Sequence, residues 1–115
     1  MPIQTVTQRN TLVDAYKTAA AFMAVYSTVP GATAGTELTG GSPAYARRAS
    51  NWGATANSAA TASPAAFDIP SGATCAGIGF HTLATGGVYL DGAAVTSQTF
   101  ASQGTLTVTA TYTQQ

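Results

Sequence analysis

Hydrophobic and polar residues alternate most regularly towards the C-terminal end of the chain. In TLTVTATYT, residues 105–113, apolar side chains recur at every second position with threonine between them: Leu106, Val108, Ala110 and Tyr112. A period of two residues places the two sets on opposite faces of an extended backbone. This stretch is therefore predicted to be a strand with one apolar and one polar face.

Weaker strand signals occupy much of the preceding chain. FMAVY, residues 22–26, is apolar at every position, which predicts a strand buried on both faces that ends before the turn at Pro30–Gly31. Shorter or weaker strands are expected, each beside turn residues, at 44–51, 55–66, 66–70 and 88–92. The glycine-rich loop between these segments, residues 31–43, is long enough to predict a functional or interfacial role.

The segment TCAGIGFHTLA, residues 74–84, is a further predicted strand. Cys75, Gly77, Gly79 and His81 fall on one face of it. Two glycines on one face of a strand indicate the close approach of another backbone.

One segment has a helical pattern instead. Residues 10–19, NTLVDAYKTA, bring Leu12, Val13 and Tyr16 to one side of a helix. Asn10 or Thr11 is expected to cap its first turn by accepting a hydrogen bond from a free backbone amide. The helix is short, so it needs a surface to dock on.

About seven or eight short strands separated by glycine, proline and serine turns predict an all-β fold. We expect an antiparallel, jelly-roll-like β-sandwich with a short N-terminal helix. A length of 115 residues fits a single domain spanning 1–115, of which 1–20 form an N-terminal arm and helix.

Charge is scarce in this chain. Only 7% of its residues are charged, and four basic residues balance four acidic ones. Low net charge removes repulsion between copies, which favours self-association. The N-terminus lacks the basic and apolar regions of a signal peptide, and the longest apolar run, 19–26, is too short to cross a membrane. We therefore expect synthesis in the cytosol and no membrane partner.

Candidate chemistry is sparse. Cys75 is the only cysteine, so no internal disulfide forms, and His81 is the only histidine, expected at the surface or an interface. The two lie roughly 20 Å apart along one strand, too far for a nucleophile and its base. The loop GATAGTELTGG lacks the lysine of a phosphate-binding loop. We expect no enzyme activity, no catalytic residue, no cofactor and no metal.

The adjacent residues Arg47 and Arg48 raise the question of a phosphate or nucleic-acid contact. Proteins that bind nucleic acids normally have a basic face, and this chain has none, so no nucleic-acid partner is expected. In a strand the two arginines point to opposite faces. One is predicted to pair with a carboxylate, with Glu37, Asp68 and Asp91 as candidates, and the other to face solvent or a neighbouring subunit. Trp52 is predicted to anchor the core or an interface.

The order of motifs resembles a protein family. The stretches TELTGGSPAYARRASNWGA, AAFDIPSGATCAGIGFHTLATGGVYLDG and FASQGTLTVTATY are similar to the small tail-fibre-like, minor-tail-type virion proteins of double-stranded-DNA tailed bacteriophages, especially those of actinobacteria. The resemblance covers residues 8–113. The matching positions are Glu37, Leu38, Gly40, Gly41, Tyr45, Ala46, Arg47, Trp52, Phe67, Pro70, Phe80 and Gly86–Gly87. The chain departs from the family at His81.

The resemblance implies a virion structural protein with no catalytic residue to carry over. It implies self-association as a homotrimer and docking on the major capsid protein or on tail proteins. The particle-surface roles it leaves open are minor tail protein, tail fibre and capsid decoration. The residues expected to fix the loop or an interface are Glu37, Tyr45, Arg47, Arg48 and Trp52.

The alternative function is a module that binds carbohydrate on the host surface. In that hypothesis Tyr45, Trp52 and Tyr89 would stack on sugar rings.

Overall fold

A computed structural model describes residues 4–114 and contains one helix and eight strands in that range. The helix α1 spans Val6–Ala19. The strands are β1 (Phe22–Tyr26), β2 (Arg48–Ala49), β3 (Ala59–Thr61), β4 (Ala65–Ile69), β5 (Thr74–His81), β6 (Tyr89–Thr99), β7 (Gly104–Val108) and β8 (Thr111–Thr113). The predicted all-β class with one short helix is confirmed. No helix within residues 4–114 has the length and apolarity to cross a membrane.

Helix α1 starts earlier than its sequence pattern predicts. Thr5 is the N-cap, and its hydroxyl accepts from the backbone N–H of Gln8 at 3.3 Å. The expected caps, Asn10 and Thr11, lie inside the helix. The Asn10 side chain is instead engaged in a tertiary contact, since its Oδ1 accepts from the backbone N–H of Ser58 at 2.8 Å.

The strands pair in antiparallel fashion within three sheets. Four of them form one sheet in the order β2-β1-β5-β6, while β3 pairs with β8 and β4 pairs with β7. In the four-stranded sheet, Met23 lies opposite Phe80 and Val25 opposite Ile78. These pairs share one face, which is the apolar face of the sheet.

The main core lies on that face. Met23 and Val25 of β1 belong to one buried cluster with Ile78 of β5 and with Phe67 and Ile69 of β4. All of these side chains are at most 8% exposed. Strand β1 is buried along nearly its whole length, which confirms the expectation from its uninterrupted apolar sequence.

Helix α1 is attached to this core by aromatic side chains. The Tyr16 ring stacks on Tyr112 with centroids 3.7 Å apart, and it meets Trp52 and Phe80 edge to face at 5.9 Å each. The Tyr16 hydroxyl donates to Asp91 at 3.0 Å. These contacts provide the docking surface that so short a helix requires.

The opposite face of the sheet is crowded around glycines. A Cβ on Gly79 would lie 2.5 Å from the Tyr26 ring, and Gly77 faces the ring of Pro30. The structure therefore confirms that other groups approach the backbone closely at Gly77 and Gly79. The groups that approach from above the sheet are side chains, however, and not another backbone as expected.

Several predicted strands, among them 44–51, 88–92 and 105–113, differ from the structure in length or division. Of the segment 44–51 only Arg48–Ala49 is a strand, because the chain turns just before it: Gly40 and Gly41 have φ of 85° and 97°, and the Tyr45 N–H donates to the carbonyl of Gly40 at 2.8 Å.

The C-terminal segment 105–113 keeps its predicted alternation, since the threonines are exposed and the apolar residues face inward. It is nevertheless divided into β7 and β8, because the two halves pair with different strands. Conversely, the predicted strand 88–92 continues as the long strand β6. Two register shifts against β5 allow this extension.

The crowding at Gly79 gives a testable prediction. Gly79→Ala should lower the free energy of unfolding by about 1–3 kcal/mol, because the added methyl group must displace the Tyr26 ring. Gly31→Ala is the matched control, since no atom lies within 4 Å of the point that a Cβ would occupy there, and it should change stability by less than about 0.5 kcal/mol. Urea unfolding of both variants measures the difference. Equal stability of the two variants would contradict the packing described here.

Candidate functional site

Arg47 connects three parts of the chain through its guanidinium group. Its Nε and Nη2 donate to the two carboxylate oxygens of Glu37 at 2.9 and 2.8 Å. Its Nη1 donates to the backbone carbonyls of Leu83 and Gly86 at 2.9 and 2.8 Å. The arginine side chain is 10% exposed and the glutamate side chain 25%. With four of its five N–H groups engaged by the chain itself, Arg47 acts as a clamp.

Tyr45 joins this clamp to strand β1. Its hydroxyl donates to Glu37 Oε2 at 2.8 Å and accepts from the backbone N–H of Val25 at 2.9 Å. The Tyr45 ring stacks on Phe67 of β4, with centroids 6.3 Å apart. Glu37, Tyr45 and Arg47, hereafter the clamp, therefore tie the loop after β1 to both the core and the hairpin at 82–88.

The electrostatics of the clamp favour its ionised form. Burial by itself would raise the pKa of the Glu37 carboxyl, but the hydrogen bonds from Arg47 and Tyr45 and the arginine charge outweigh burial and hold that pKa below 4.5. Burial and the neighbouring carboxylate raise the pKa of Tyr45. At neutral pH the clamp thus contains a carboxylate, a guanidinium and a neutral phenol.

Arg48 forms a second and more exposed ion pair. Its Nη2 lies 3.1 Å from Asp68 Oδ2, and its Nε donates to the carbonyl of Ala66 at 2.9 Å. The arginine side chain is 45% exposed. This pair ties β2 to β4. The prediction of one arginine–carboxylate pair is confirmed, but the other arginine, expected to face solvent or a neighbouring subunit, is paired within the chain as well. Arg47 precedes β2 and so does not share a strand with Arg48.

Trp52 anchors the end of helix α1. Its Nε1 donates to the carbonyl of Ala20 at 2.9 Å, and its ring packs against Phe80 with centroids 5.3 Å apart. The ring is half-buried and borders an open depression of about 480 Å³ whose other lining residues include Asp14, Lys17 and Asn51. Trp52 therefore packs against the core, which is one of the two places predicted for it.

The residue that sequence reasoning misplaced is His81. It is 5% exposed and not at the surface of the chain. Its Nε2 is hydrogen-bonded to the hydroxyl of Tyr26, and its ring lies 5.7 Å from that of Tyr89. The Tyr89 hydroxyl donates to the carbonyl of Gly31 at 2.8 Å, which closes the segment after β1 over this cluster. The usable sequence signal was the row of glycines on the face that His81 shares.

Burial determines the protonation of this aromatic cluster. It raises the pKa of Tyr26 to about 12, so the phenol remains protonated at neutral pH. Burial, reinforced by the charge of Arg47, lowers the pKa of His81 below 6.5, although Glu37 acts in the opposite direction. A neutral imidazole can accept the Tyr26 proton in a hydrogen bond, whereas an imidazolium cannot.

Each of the four acidic side chains has a partner within the chain. Glu37 and Asp68 pair with arginines. Asp14 accepts from Thr55 at 2.5 Å and lies 3.9 Å from Lys17, and Asp91 accepts from Tyr16. Within residues 4–114, histidine, cysteine and acidic side chains form no group of three that could hold a metal ion.

The clamp borders an open depression of about 410 Å³ that also includes residues of the 82–88 hairpin. The sequence-predicted residues thus separate into one cluster, the clamp, and two independent contacts at Arg48 and Trp52. Comparison of the chain with protein-family models, with curated proteins and with solved structures gives no significant match.

The clamp predicts unequal effects of two similar substitutions. Arg47→Lys should lower the free energy of unfolding by roughly 2 kcal/mol, because lysine cannot form the bidentate pair and also satisfy two carbonyls. Arg48→Lys is the matched control and should cost less than about 1 kcal/mol, since its pair is more exposed. Urea unfolding at neutral pH provides the comparison. A larger decrease in the free energy of unfolding for Arg48→Lys than for Arg47→Lys would show that Arg47 is not the more important of the two contacts.

The His81 cluster predicts a dependence of stability on pH. The unfolded chain binds a proton at His81 near pH 6.5, while the folded chain binds it only at a lower pH. Stability should therefore fall as pH decreases through 6.5, until the folded pKa is reached. His81→Gln should remove this slope, whereas the loss caused by protonation of Glu37 should remain at pH values below 4.5. Urea unfolding between pH 8 and pH 3 tests both parts, and an unchanged slope between pH 8 and pH 5 in the variant would rule out His81 as its source.

Proposed function

We propose that the chain is a non-enzymatic structural protein of a tailed double-stranded-DNA bacteriophage, located on the surface of the particle as a minor tail, tail-fibre-like or capsid-decoration protein. One observation carries the proposal. The residues of the motif on which the resemblance rests, Glu37, Tyr45 and Arg47, bond to one another and to the backbone. They fit a role in holding a loop and a hairpin in place better than a role in chemistry.

The hairpin that the clamp holds presents an apolar surface suited to docking. Arg47 binds two carbonyls of the 82–88 hairpin, whose ends are joined by the hydrogen bond from Thr82 N–H to the Val88 carbonyl at 3.2 Å. Leu83 and Val88 of that hairpin are 55% and 61% exposed. Exposed aliphatic side chains on a fixed hairpin favour contact with another protein. The proposed partners are the major capsid protein or tail proteins.

Self-association is the second part of the proposal. Positive and negative side chains are equal in number, so copies of the chain carry no net charge to keep them apart. We propose a homotrimer built from single-domain chains. In each chain the four-stranded sheet and the β4–β7 pair would be the two layers of a jelly-roll-like sandwich, since both contribute to one buried cluster.

The alternative function, carbohydrate binding, is supported by one feature only. Trp52 borders an open depression together with Asp14 and Asn51, and such groups suit sugar hydroxyls. The other aromatic candidates are engaged elsewhere, because the Tyr45 ring stacks on Phe67 and the Tyr89 ring packs against Tyr26 and His81.

The proposed function is tested on phage particles and on the purified chain. Mass spectrometry of purified particles should detect the chain, and its copy number should distinguish a capsid coat from a tail component. Sedimentation of the purified chain should give a mass above that of one chain. Absence from the particles would refute the proposal. A glycan array that gives a signal lost in Trp52→Ala would favour the alternative.

A further inference from the structure

Strand β6 is a long free edge. It contains 11 residues, spans roughly 37 Å, and is hydrogen-bonded among the described residues only to β5. On the side of β6 that faces away from β5, the backbone N–H and C=O groups therefore have no partner strand. Edges of this kind are templates for pairing with another strand.

A second free edge runs along residues 104–113. Within the described part of the chain, β7 pairs only with β4, and β8 only with β3. The segment lies across from β6 without being hydrogen-bonded to it. Two openings of about 300 and 290 Å³ separate the two edges, one lined by β6 and β7 residues and the other by β6 residues and 110–112.

The openings between these edges lead into the core. Val95 of β6 and Leu106 and Val108 of β7 line one of them around Cys75. Ile78 and Phe80 line the second opening. The flank of the molecule formed by β6, residues 104–113 and these openings thus has an apolar centre between two unpaired backbone edges.

Strand β6 has two bulges, at Leu90 and at residues 95–97, but both edges otherwise lack the side chains that normally prevent edge-to-edge association. Lysine, arginine and proline are absent from both β6 and residues 104–113, and the one charged residue is Asp91. The Asp91 carboxylate accepts from the Tyr16 hydroxyl and from the Gly92 N–H. Beyond it, residues 92–99 of β6 carry no charged side chain. The remaining side chains of both edges are uncharged, and many are threonine, which suits a strand interface.

We propose that the free edge of β6 pairs with the edge of residues 104–113 in a second copy of this chain. Each copy offers two different edges on one flank. A head-to-tail arrangement, in which β6 of one copy pairs with residues 104–113 of the next, uses both edges. A two-fold arrangement that pairs β6 with β6 would leave residues 104–113 unpaired. A closed ring turns the flank of every copy inward and covers the openings. This inference rests on the self-association in the proposed function and adds the surface that produces it.

Disulfide formation between separately prepared variants tests the pairing. Thr96→Cys and Thr107→Cys, each in a Cys75→Ala background, place one thiol on each edge. Mixing the two under mild oxidation should give a covalent dimer that neither variant gives alone. Thr85→Cys mixed with Thr107→Cys is the matched control, since Thr85 is exposed on the distant 82–88 hairpin, and it should give no dimer.

The outcomes separate this inference from the proposed function. A dimer from Thr96→Cys alone would replace the head-to-tail pairing with a two-fold one. Assembly of the wild-type chain without any cross-link through these positions would overturn the inference and leave the proposed self-association standing. A wild-type chain that stays monomeric would overturn both.

A charged substitution gives an independent readout. Thr96→Lys should reduce the sedimenting mass to that of one chain, because a lysine on an edge strand opposes pairing. Thr85→Lys adds the same charge away from the edge and should leave the assembled mass unchanged. Thermal unfolding should show that both variants are folded. If folded Thr96→Lys retains the assembled mass, β6 is not the interface.

Discussion

The ion pair between Arg47 and Glu37 is the contact on which the arrangement of the loops depends. It holds the segment after β1 against the 82–88 hairpin, and Tyr45 extends the same network to the backbone of β1. A carboxylate that is only 25% exposed needs such partners, because a largely buried charge without hydrogen bonds is costly. Loss of one partner would leave the other unsatisfied, which makes the clamp strongly cooperative.

The four-stranded sheet separates two different interiors. On one face, aliphatic and aromatic side chains of β1, β4 and β5 form the main core. On the other, Gly77 and Gly79 leave space for Pro30 and Tyr26, and the Tyr26 hydroxyl is hydrogen-bonded to the buried His81. The clamp lies close enough to this second interior for the charge of Arg47 to oppose protonation of His81. Burial is the main reason that the pKa of His81 is lowered, and the arginine that fixes the loop geometry adds to this effect.

A chain whose few charges are used internally presents a weakly charged surface to its surroundings. All four carboxylates and both members of the arginine pair at 47 and 48 have partners within the molecule. What remains outside is threonine, small residues, a fixed apolar hairpin and two free strand edges. Such a surface suits permanent assembly better than turnover of a soluble substrate, which agrees with the structural role proposed for the particle surface.

Local sequence pattern determined the strand class, the buried strand β1 and the alternation of residues 105–113, because these follow from the period of neighbouring side chains. It also indicated a carboxylate partner for the arginines, since so few acids exist. Tertiary structure decided which acid pairs with which arginine, that Asn10 bonds to Ser58 and does not cap helix α1, and that His81 is buried. The partners responsible, such as Ser58 for Asn10 and Tyr26 for His81, are 48 and 55 residues away. No local period encodes contacts over that separation, so only the folded chain specifies them.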